Sequence, residues 1–335
     1  MIRITDRTLS CIDDRLNEKA ALLRFLNFLI KMDPGAIELS EKVHQLLSPL
    51  PEYPSYILRI ENTAKAEKYS PDTYPRITEF VCRNARTDNK RIRTEISLDN
   101  TLKASAETIA RYAGCANVRV QGLDYVMCDD YIRAFGSLKK SFNGSIEFCP
   151  RNHFNCATAL AAEWITSGAG NGSSSYVVTS FGGIGGFAPT EEVIMFLRES
   201  RLYNENKTYS FFPEMARLFH KLTRKNVSLN KPIIGSRIFC VEAGIHVDGI
   251  LKQPKSYEPF APEIVGQKRK FVLGKHSGTA SVRVKLSEFD IKCEQEHIPF
   301  ILEQIKTKAV EKSGEVTDME FVKLINEHIA KERVK

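Results

Sequence analysis

Short β-rich runs alternate with amphipathic stretches through the first two thirds of the chain, and this alternation constrains the fold more than any other feature. The runs are Ile2–Thr5, Ala36–Leu39, Tyr56–Ile60, Ile77–Val81, Arg93–Ser97, Val118–Gln121, Ser145–Phe148 and Tyr176–Ser180. Between several of them lie helical patterns. These are Glu18–Met32, carrying Leu22, Phe25, Leu26, Phe28 and Leu29; Thr101–Tyr112; Asp130–Phe142; and Cys156–Ser167, whose Ala-rich face suits close packing on a sheet. Strand followed by helix over about 220 residues predicts a parallel α/β architecture, and eight strands is the number that closes a barrel. The reading is a (β/α)8 TIM barrel, with a doubly wound open sheet as the alternative.

Beyond about Asn204 the pattern changes. The segment 204–231 is polar around one amphipathic piece, Phe212–Thr223, and Asn230-Lys231-Pro232 reads as a break. A Gly- and His-containing region follows. The tail is helical: Ile298, Ile301, Leu302, Ile305 and Ala309 form one stripe, and Thr317-Asp318-Met319-Glu320 has capping-box spacing ahead of another. The expected division is a barrel over residues 1–228, a small subdomain over 229–281 and a helical region over 282–335, the last two forming an α+β or helical C-terminal part.

Composition excludes more than it selects. Lys and Arg number 48 against 41 Asp and Glu, a net of +7 with no dense basic stripe of the kind a nucleic-acid groove needs. No apolar run approaches the roughly 20 residues that span a bilayer, and Met1–Asp6 carries no signal-peptide core, so a cytoplasmic location is expected. The eight cysteines contain no Cys-x-x-Cys pair, and the seven histidines no His-x-His or His-x-x-x-His spacing. That pattern fits reduced structural thiols and argues against a metal site built by this chain alone.

The turn Phe181-Gly182-Gly183-Ile184-Gly185-Gly186 follows the last predicted strand, and Ala188-Pro189-Thr190-Glu191-Glu192 opens a helix running to about Glu199. It reads first as a tight βα turn. The alternative is an anion site at the helix N-terminus.

The run from Val241 to Lys252, containing Gly244-Ile245-His246-Val247-Asp248-Gly249, leads into Tyr257-Glu258-Pro259-Phe260, Pro262, Val265-Gly266 and Leu273-Gly274-Lys275-His276-Ser277-Gly278. With its internal spacing it closely resembles the subdomain that follows the barrel in homocitrate and isopropylmalate synthases. Ala157-Thr158-Ala159, Gly168-Ala169, Gly183-Ile184-Gly185 and Glu191-Glu192-Val193 resemble the last barrel strands and helices of that family. The likeness is strong after about residue 150, while the first strand matches only in its frame.

The resemblance implies an acyltransferase that condenses acetyl-CoA with a 2-oxo acid, using a divalent metal at the barrel mouth and a base against the acetyl methyl. It also implies roles here: His246 aligns with the family's catalytic His and Tyr257 with the Tyr beside it, while Glu242 and Asp248 keep supporting places. Imidazole titrates near neutrality and a phenol can donate to an oxyanion, so the pair is chemically usable. For His276 the favoured reading is service to the turn backbone.

The departures lie in the barrel. Where the family's first strand ends Asp-Thr-Thr-Leu-Arg-Asp-Gly, this chain reads Asp6-Arg7-Thr8-Leu9-Ser10-Cys11-Ile12. Anchoring on Ala157-Thr158-Ala159 puts Cys149 and Arg151 at two histidine ligand positions, and the Asn ligand falls near Pro189 or Thr190. The Asp-Thr after the sixth strand falls at Gly122 and Leu123. A guanidinium offers no lone pair to a cation. Local substitutes would be Asp13, Asp14 or His153, whereas Glu38, Glu95 and Asp99 read as buried or rim carboxylates.

In the family's dimers the subdomain reaches over the neighbouring barrel, so a chain that has lost the metal ligands and kept the subdomain resembles one half of a split synthase. The resemblance then implies an alpha subunit of homocitrate synthase as partner, carrying the divalent metal, with none bound by this chain. Acetyl-CoA and 2-oxoglutarate would be the substrates, and homocitrate for iron–molybdenum cofactor synthesis the product. The alternatives are a non-catalytic scaffold or regulatory paralogue, and a self-sufficient acyltransferase with altered metal use.

Overall fold

A computed structural model describes residues 1–12, 18–98, 102–103, 105–123, 131–169 and 175–332. The expectations at Asp13, Asp14 and Asp99 fall outside the described residues. The chain forms two compact units: Met1–Lys207 with Glu214–Val227 and Pro232–Ile234, and Thr208–Pro213 with Ser228–Lys231 and Gly235–Lys335.

In the first unit the order is β1 (Ile2–Asp6), α1 (Thr8–Cys11), α2 (Lys19–Met32), β2 (Gly35–Ser40), α3 (Glu41–Leu47), β3 (Tyr56–Ile60), β4 (Ile77–Arg83) and β5 (Ile92–Leu98). It continues through α4 (Ala106–Tyr112), β6 (Asn117–Gly122), α5 (Tyr131–Lys140), β7 (Ser145–Pro150), α6 (Ala157–Ala169), β8 (Ser175–Thr179), α7 (Thr190–Glu199) and α8 (Phe212–Thr223). The strands β1 to β8 pair in parallel and close into a barrel, β1 meeting β8 with Asp6 opposite Thr179. The expected TIM barrel is present, and the open sheet is not. Each run named from the sequence became a strand, shifted by no more than a few residues. Only residues 84–91 separate β4 from β5, too few for a crossover helix.

Helix α2 buries Leu22, Phe25, Leu26, Leu29 and Met32, the spacing of one face of a 3.6-residue period. Its C-terminus is closed by Asp33 in the left-handed region, whose N–H bonds Leu29 O at 2.9 Å. The alanines of α6 let that helix lie close to the sheet, where Trp164 meets Phe148 and Phe135 with ring centroids 5.2 Å away in each case.

The lumen of this barrel differs from the branched apolar layers usual for the fold. Glu95, Arg119 and Glu147 are register neighbours on β5, β6 and β7. Arg119 also bonds Glu38, which lies on β2. Strands β6 and β2 stand opposite each other, so this contact crosses the barrel. Arg119, Glu38 and Glu147 are fully buried. Around them Arg59 clamps Glu95 through two bonds of 3.0 and 2.7 Å, and Arg93 approaches Glu147 at 3.5 Å and Glu79 at 3.1 Å. Four carboxylates and their guanidiniums thus fill the space by pairing, the condition under which buried charge is tolerated.

In the second unit two short parallel strands, β9 (Cys240–Val241) and β10 (Lys270–Phe271), accompany α9 (Gly244–Lys252), α10 (Thr279–Glu288), α11 (Ile298–Glu311) and α12 (Asp318–Glu332). Ile298, Ile301, Leu302, Ile305 and Ala309, the stripe read from the sequence, pack with Leu273, Val282, Leu286, Phe321 and Ile325 into one core. The capping box at Thr317 forms reciprocally. Its hydroxyl accepts from Glu320 N at 3.3 Å, and the Glu320 carboxylate accepts from Thr317 N at 2.7 Å.

Candidate functional site

The motif around His246 begins with a glycine for a steric reason. A Cβ on Gly244 would lie 2.5 Å from the Cα of Gly278, so α9 and α10 start in backbone contact. The adjoining turn is tied down by its own residues. Gly274 N donates to Ser277 Oγ at 2.9 Å, His276 N donates to Glu242 Oε1 at 2.9 Å, and Gly244 N donates to His276 O at 3.2 Å. Glu242 is therefore the anchor of this turn, and His276 contributes its backbone while its side chain is exposed.

His246 stands in the first turn of α9 and is exposed. Val247 and Ile250 of the same helix are buried with Phe271, while His246 stays at the surface. Tyr257 follows a Pro254–Ser256 3₁₀ turn, with its N–H bonded to Pro254 O at 2.9 Å. The next residue, Glu258, is gripped by Arg269 through bonds of 2.7 and 2.8 Å. Tyr257 thereby returns to α9, and its ring centroid lies 5.7 Å from that of His246 at an interplanar angle of 54°. It is 46% exposed.

Gly249 makes this return possible. A Cβ there would fall 2.3 to 2.4 Å from the Cζ, Cε2 and hydroxyl oxygen of Tyr257. The sequence reading missed Gly249 as a positioning residue, although a glycine inside a helical motif next to two functional candidates is itself a signal of close approach. Asp248 does not face the pair: its carboxylate forms an i, i+4 ion pair of 2.6 Å with Lys252. Of the four candidates, the structure brings His246 and Tyr257 together, puts Glu242 beneath the neighbouring turn and leaves Asp248 on the helix surface.

In the first unit, Arg7 emerges directly after β1 and is nearly buried. Its Nη1 lies 3.5 Å from Glu95 Oε2 and 3.7 Å from Cys149 Sγ, and its Nε lies 3.8 Å from Glu38 Oε1. The guanidinium carbon is 4.1 Å from the centroid of Phe187, against which Arg151 also stacks at 4.9 Å. Burial by itself would raise the Glu38 carboxyl, but Arg119, Arg59 and Arg7 outweigh it and hold the group well below the usual carboxylate range. Glu95 and Glu147 are drawn down to about 2 by guanidiniums that likewise overcome burial. Burial pushes the Cys149 thiol up to about 12 despite Arg7, so it remains protonated at neutral pH. Burial also lifts Asp6 to about 6, against hydrogen bonds from Thr190 Oγ1 at 2.5 Å and Thr8 N at 2.9 Å.

This set does not fit a divalent cation. The mapped positions carry two thiols, Cys11 and Cys149, both pushed up by burial, the guanidinium of Arg151 and the Thr190 hydroxyl already bonded to Asp6. Among the described residues no group of three or more His, Cys, Asp or Glu could hold a metal ion. His153, considered as a substitute ligand, is exposed on the loop after β7. The Gly-rich turn is also served from within the chain: Gly182 N donates to Glu191 Oε2 at 2.9 Å, as expected for a βα turn closed by its own helix. The charged lumen was legible only in part. Glu38 and Glu95 were noted, but the recurrence of Arg or Glu at alternate positions of successive strands, which marks an inward-facing charged row, was not.

Residues 233–313 match a family model described as homocitrate synthase post-HMGL domain-like. Across 318 residues the chain is 30% identical to the omega subunit of homocitrate synthase from Clostridium pasteurianum, covering 90% of this chain and 89% of that one. The chain belongs to the homocitrate synthase family. Homocitrate synthase AksA of Methanothermobacter thermautotrophicus is 34% identical over 205 residues, and 2-isopropylmalate synthase 2 of Caldanaerobacter subterraneus subsp. tengcongensis is 32% identical over 202. These two matches span 50% and 51% of the relatives' lengths, so the chain covers about half of each. Its homologues are homocitrate and isopropylmalate synthases, which are acyltransferases. No helix among the described residues is long and apolar enough to cross a membrane.

Proposed function

We propose that this chain is a subunit of a hetero-oligomeric homocitrate synthase and that it lends His246 and Tyr257 to a partner, the alpha subunit. The observation that carries this reading is the contrast between the two units. An exposed His–Tyr pair stands at the surface of α9, with Tyr257 returned to it by the turn that follows, while the barrel lumen is filled by paired arginines and glutamates. The 2-oxo acid and the divalent metal that polarises its ketone would be held by the alpha subunit. The proton transfers are carried by His246 and Tyr257.

The His246 imidazole takes a proton from the methyl group of acetyl-CoA, leaving a carbanion stabilised by the thioester carbonyl. That carbon adds to C2 of 2-oxoglutarate, and the ketone oxygen, now an alkoxide, takes the proton of the Tyr257 phenol. Water then splits the thioester into the new carboxylate and CoA. The product is homocitrate, and in this reading it serves iron–molybdenum cofactor synthesis.

The test is to mix the chain with the alpha subunit and follow CoA release with acetyl-CoA and 2-oxoglutarate. The mixture is expected to be active and each chain alone inactive, with His246→Ala lowering the mixed rate by about 100-fold or more. An unchanged rate in the mixture with His246→Ala would remove the catalytic role. Tight binding to the alpha subunit without any rate dependence on His246 or Tyr257 would identify a scaffold instead.

A further inference from the structure

The fold family implies a divalent cation at the barrel mouth, and in this chain a side chain stands there. Arg7 occupies a position where the family motif has a threonine, immediately after the last residue of β1. Its guanidinium is enclosed by Glu38 and Glu95 from within β2 and β5, Cys149 near the end of β7, and Phe187 beyond β8. Cys11, which stands at a mapped ligand position, packs with Cys149 and Phe187. Ser10, at the other altered position of the motif, donates to Glu38 at 2.7 Å.

The contacts of Arg7 are those of a cation filling a space more than of a fork matched to a carboxylate. Its distances to the two glutamates exceed hydrogen-bond length, and its buried Nε lacks a hydrogen-bond partner. Arg59, by contrast, makes bidentate contact with Glu95. We propose that Arg7 is a resident cation: its guanidinium occupies the mouth in place of the family's divalent ion and balances Glu38 and Glu95 from within the chain.

The reason for exclusion is electrostatic as well as steric. A divalent ion brought among these groups would meet the guanidiniums of Arg7 and Arg59 at short range in a low-dielectric interior, where like charges repel strongly. Removing the Arg7 side chain leaves Glu38 and Glu95 bonded to Arg59 and Arg119, opens the space the guanidinium fills and takes one positive charge away from the two carboxylates, which favours entry of a cation. The inference does not depend on what His246 and Tyr257 do. An inactive mixture of subunits would leave it standing, and its failure would leave the catalytic reading to its own test.

The experiment uses the full chain with Mn²⁺ as the probe, followed by the loss of the free-ion paramagnetic resonance signal, by calorimetry, and by thermal melts in Mn²⁺ or EDTA. The wild type is expected to show no saturable Mn²⁺ binding and the same melting temperature in both buffers. Arg7→Thr is expected to melt lower, to recover in Mn²⁺, and to bind Mn²⁺ about tenfold or more tightly than the wild type. Arg7→Lys, which keeps the charge, is expected to stay folded and indifferent to Mn²⁺. Stoichiometric Mn²⁺ binding by the wild type overturns the proposal, as does an Arg7→Thr protein whose melting and affinity ignore Mn²⁺. If Arg7→Thr fails to fold, folding restored by Mn²⁺ or retained in Arg7→Lys supports the resident-cation role; loss in both overturns it.

Discussion

At the scale of single residues, Gly249 and Arg119 act in opposite ways. Gly249 matters for what it lacks, because any Cβ would enter the Tyr257 ring. Gly249→Ala is therefore expected to displace Tyr257 while leaving circular dichroism unchanged. A displacement of about 1 Å in a positioned group can cost on the order of 100-fold in rate, so CoA release by the subunit mixture is expected to fall with Gly249→Ala, and likewise with Tyr257→Phe. A mixture with Gly249→Ala at full rate would show that Tyr257 is not needed in this place. Arg119 matters for what it neutralises, since Glu38, Glu95 and Glu147 all turn to it. Removing one partner of a buried pair strands the others, and Arg119→Met is expected to lower stability by about 3 to 5 kcal/mol, measured by urea unfolding. Asp6 adds a residue whose charge the fold resists. Its carboxyl is raised from 3.8 to about 6 by burial, so its contribution is complete below the unfolded value and is lost as pH rises through about 6. Asp6→Asn is expected to remove that slope and to be the more stable protein at pH 8.

Elements carry the next level of specification, and here local chemistry is the clearest guide. The Thr317–Glu320 capping box was read from spacing alone, and its two reciprocal bonds form because the start of α12 leaves N–H groups without helical partners. Thr317→Ala is expected to cost about 1 kcal/mol, seen as a lower urea midpoint; an unchanged midpoint would mean that packing of Phe321 and Ile325 alone fixes the helix start. The strands were legible because short β-branched and aromatic runs recur between helical periods. Helix α3 was not anticipated. It is seven residues long and begins at a Ser40 cap accepting from Val43 N at 3.3 Å, too short a run for periodicity to distinguish from a loop.

On the scale of the whole molecule, the charged lumen sets the response to acid. Glu95 and Glu147 are held at about 2 against an ordinary 4.5, and Glu38 is also held well below it. Their stabilisation is present above pH 4.5 and is lost as pH falls toward 2, opposite in sign to the contribution of Asp6. Unfolding free energy is expected to fall by at least about 3 kcal/mol across that window, measured by urea titration at successive pH values; a flat profile would mean that the carboxylates are not paired as described. The sequence by itself determined the eight-strand parallel alternation and the helical tail, because strand periodicity and helix caps are properties of neighbouring residues, and through the family resemblance it named His246 and Tyr257 as candidates; closure of the strands into a barrel was decided by the structure. Only the tertiary structure decided that Tyr257 lies on Gly249, that Glu242 serves a turn and Asp248 the surface, and that Arg7 stands among Glu38, Glu95 and Cys149. The relations of Glu242 and Arg7 join residues far apart in the chain, and the return of Tyr257 to Gly249 needs a folded turn, so barrel closure or a packed turn must bring these groups together before charge and contact can act between them.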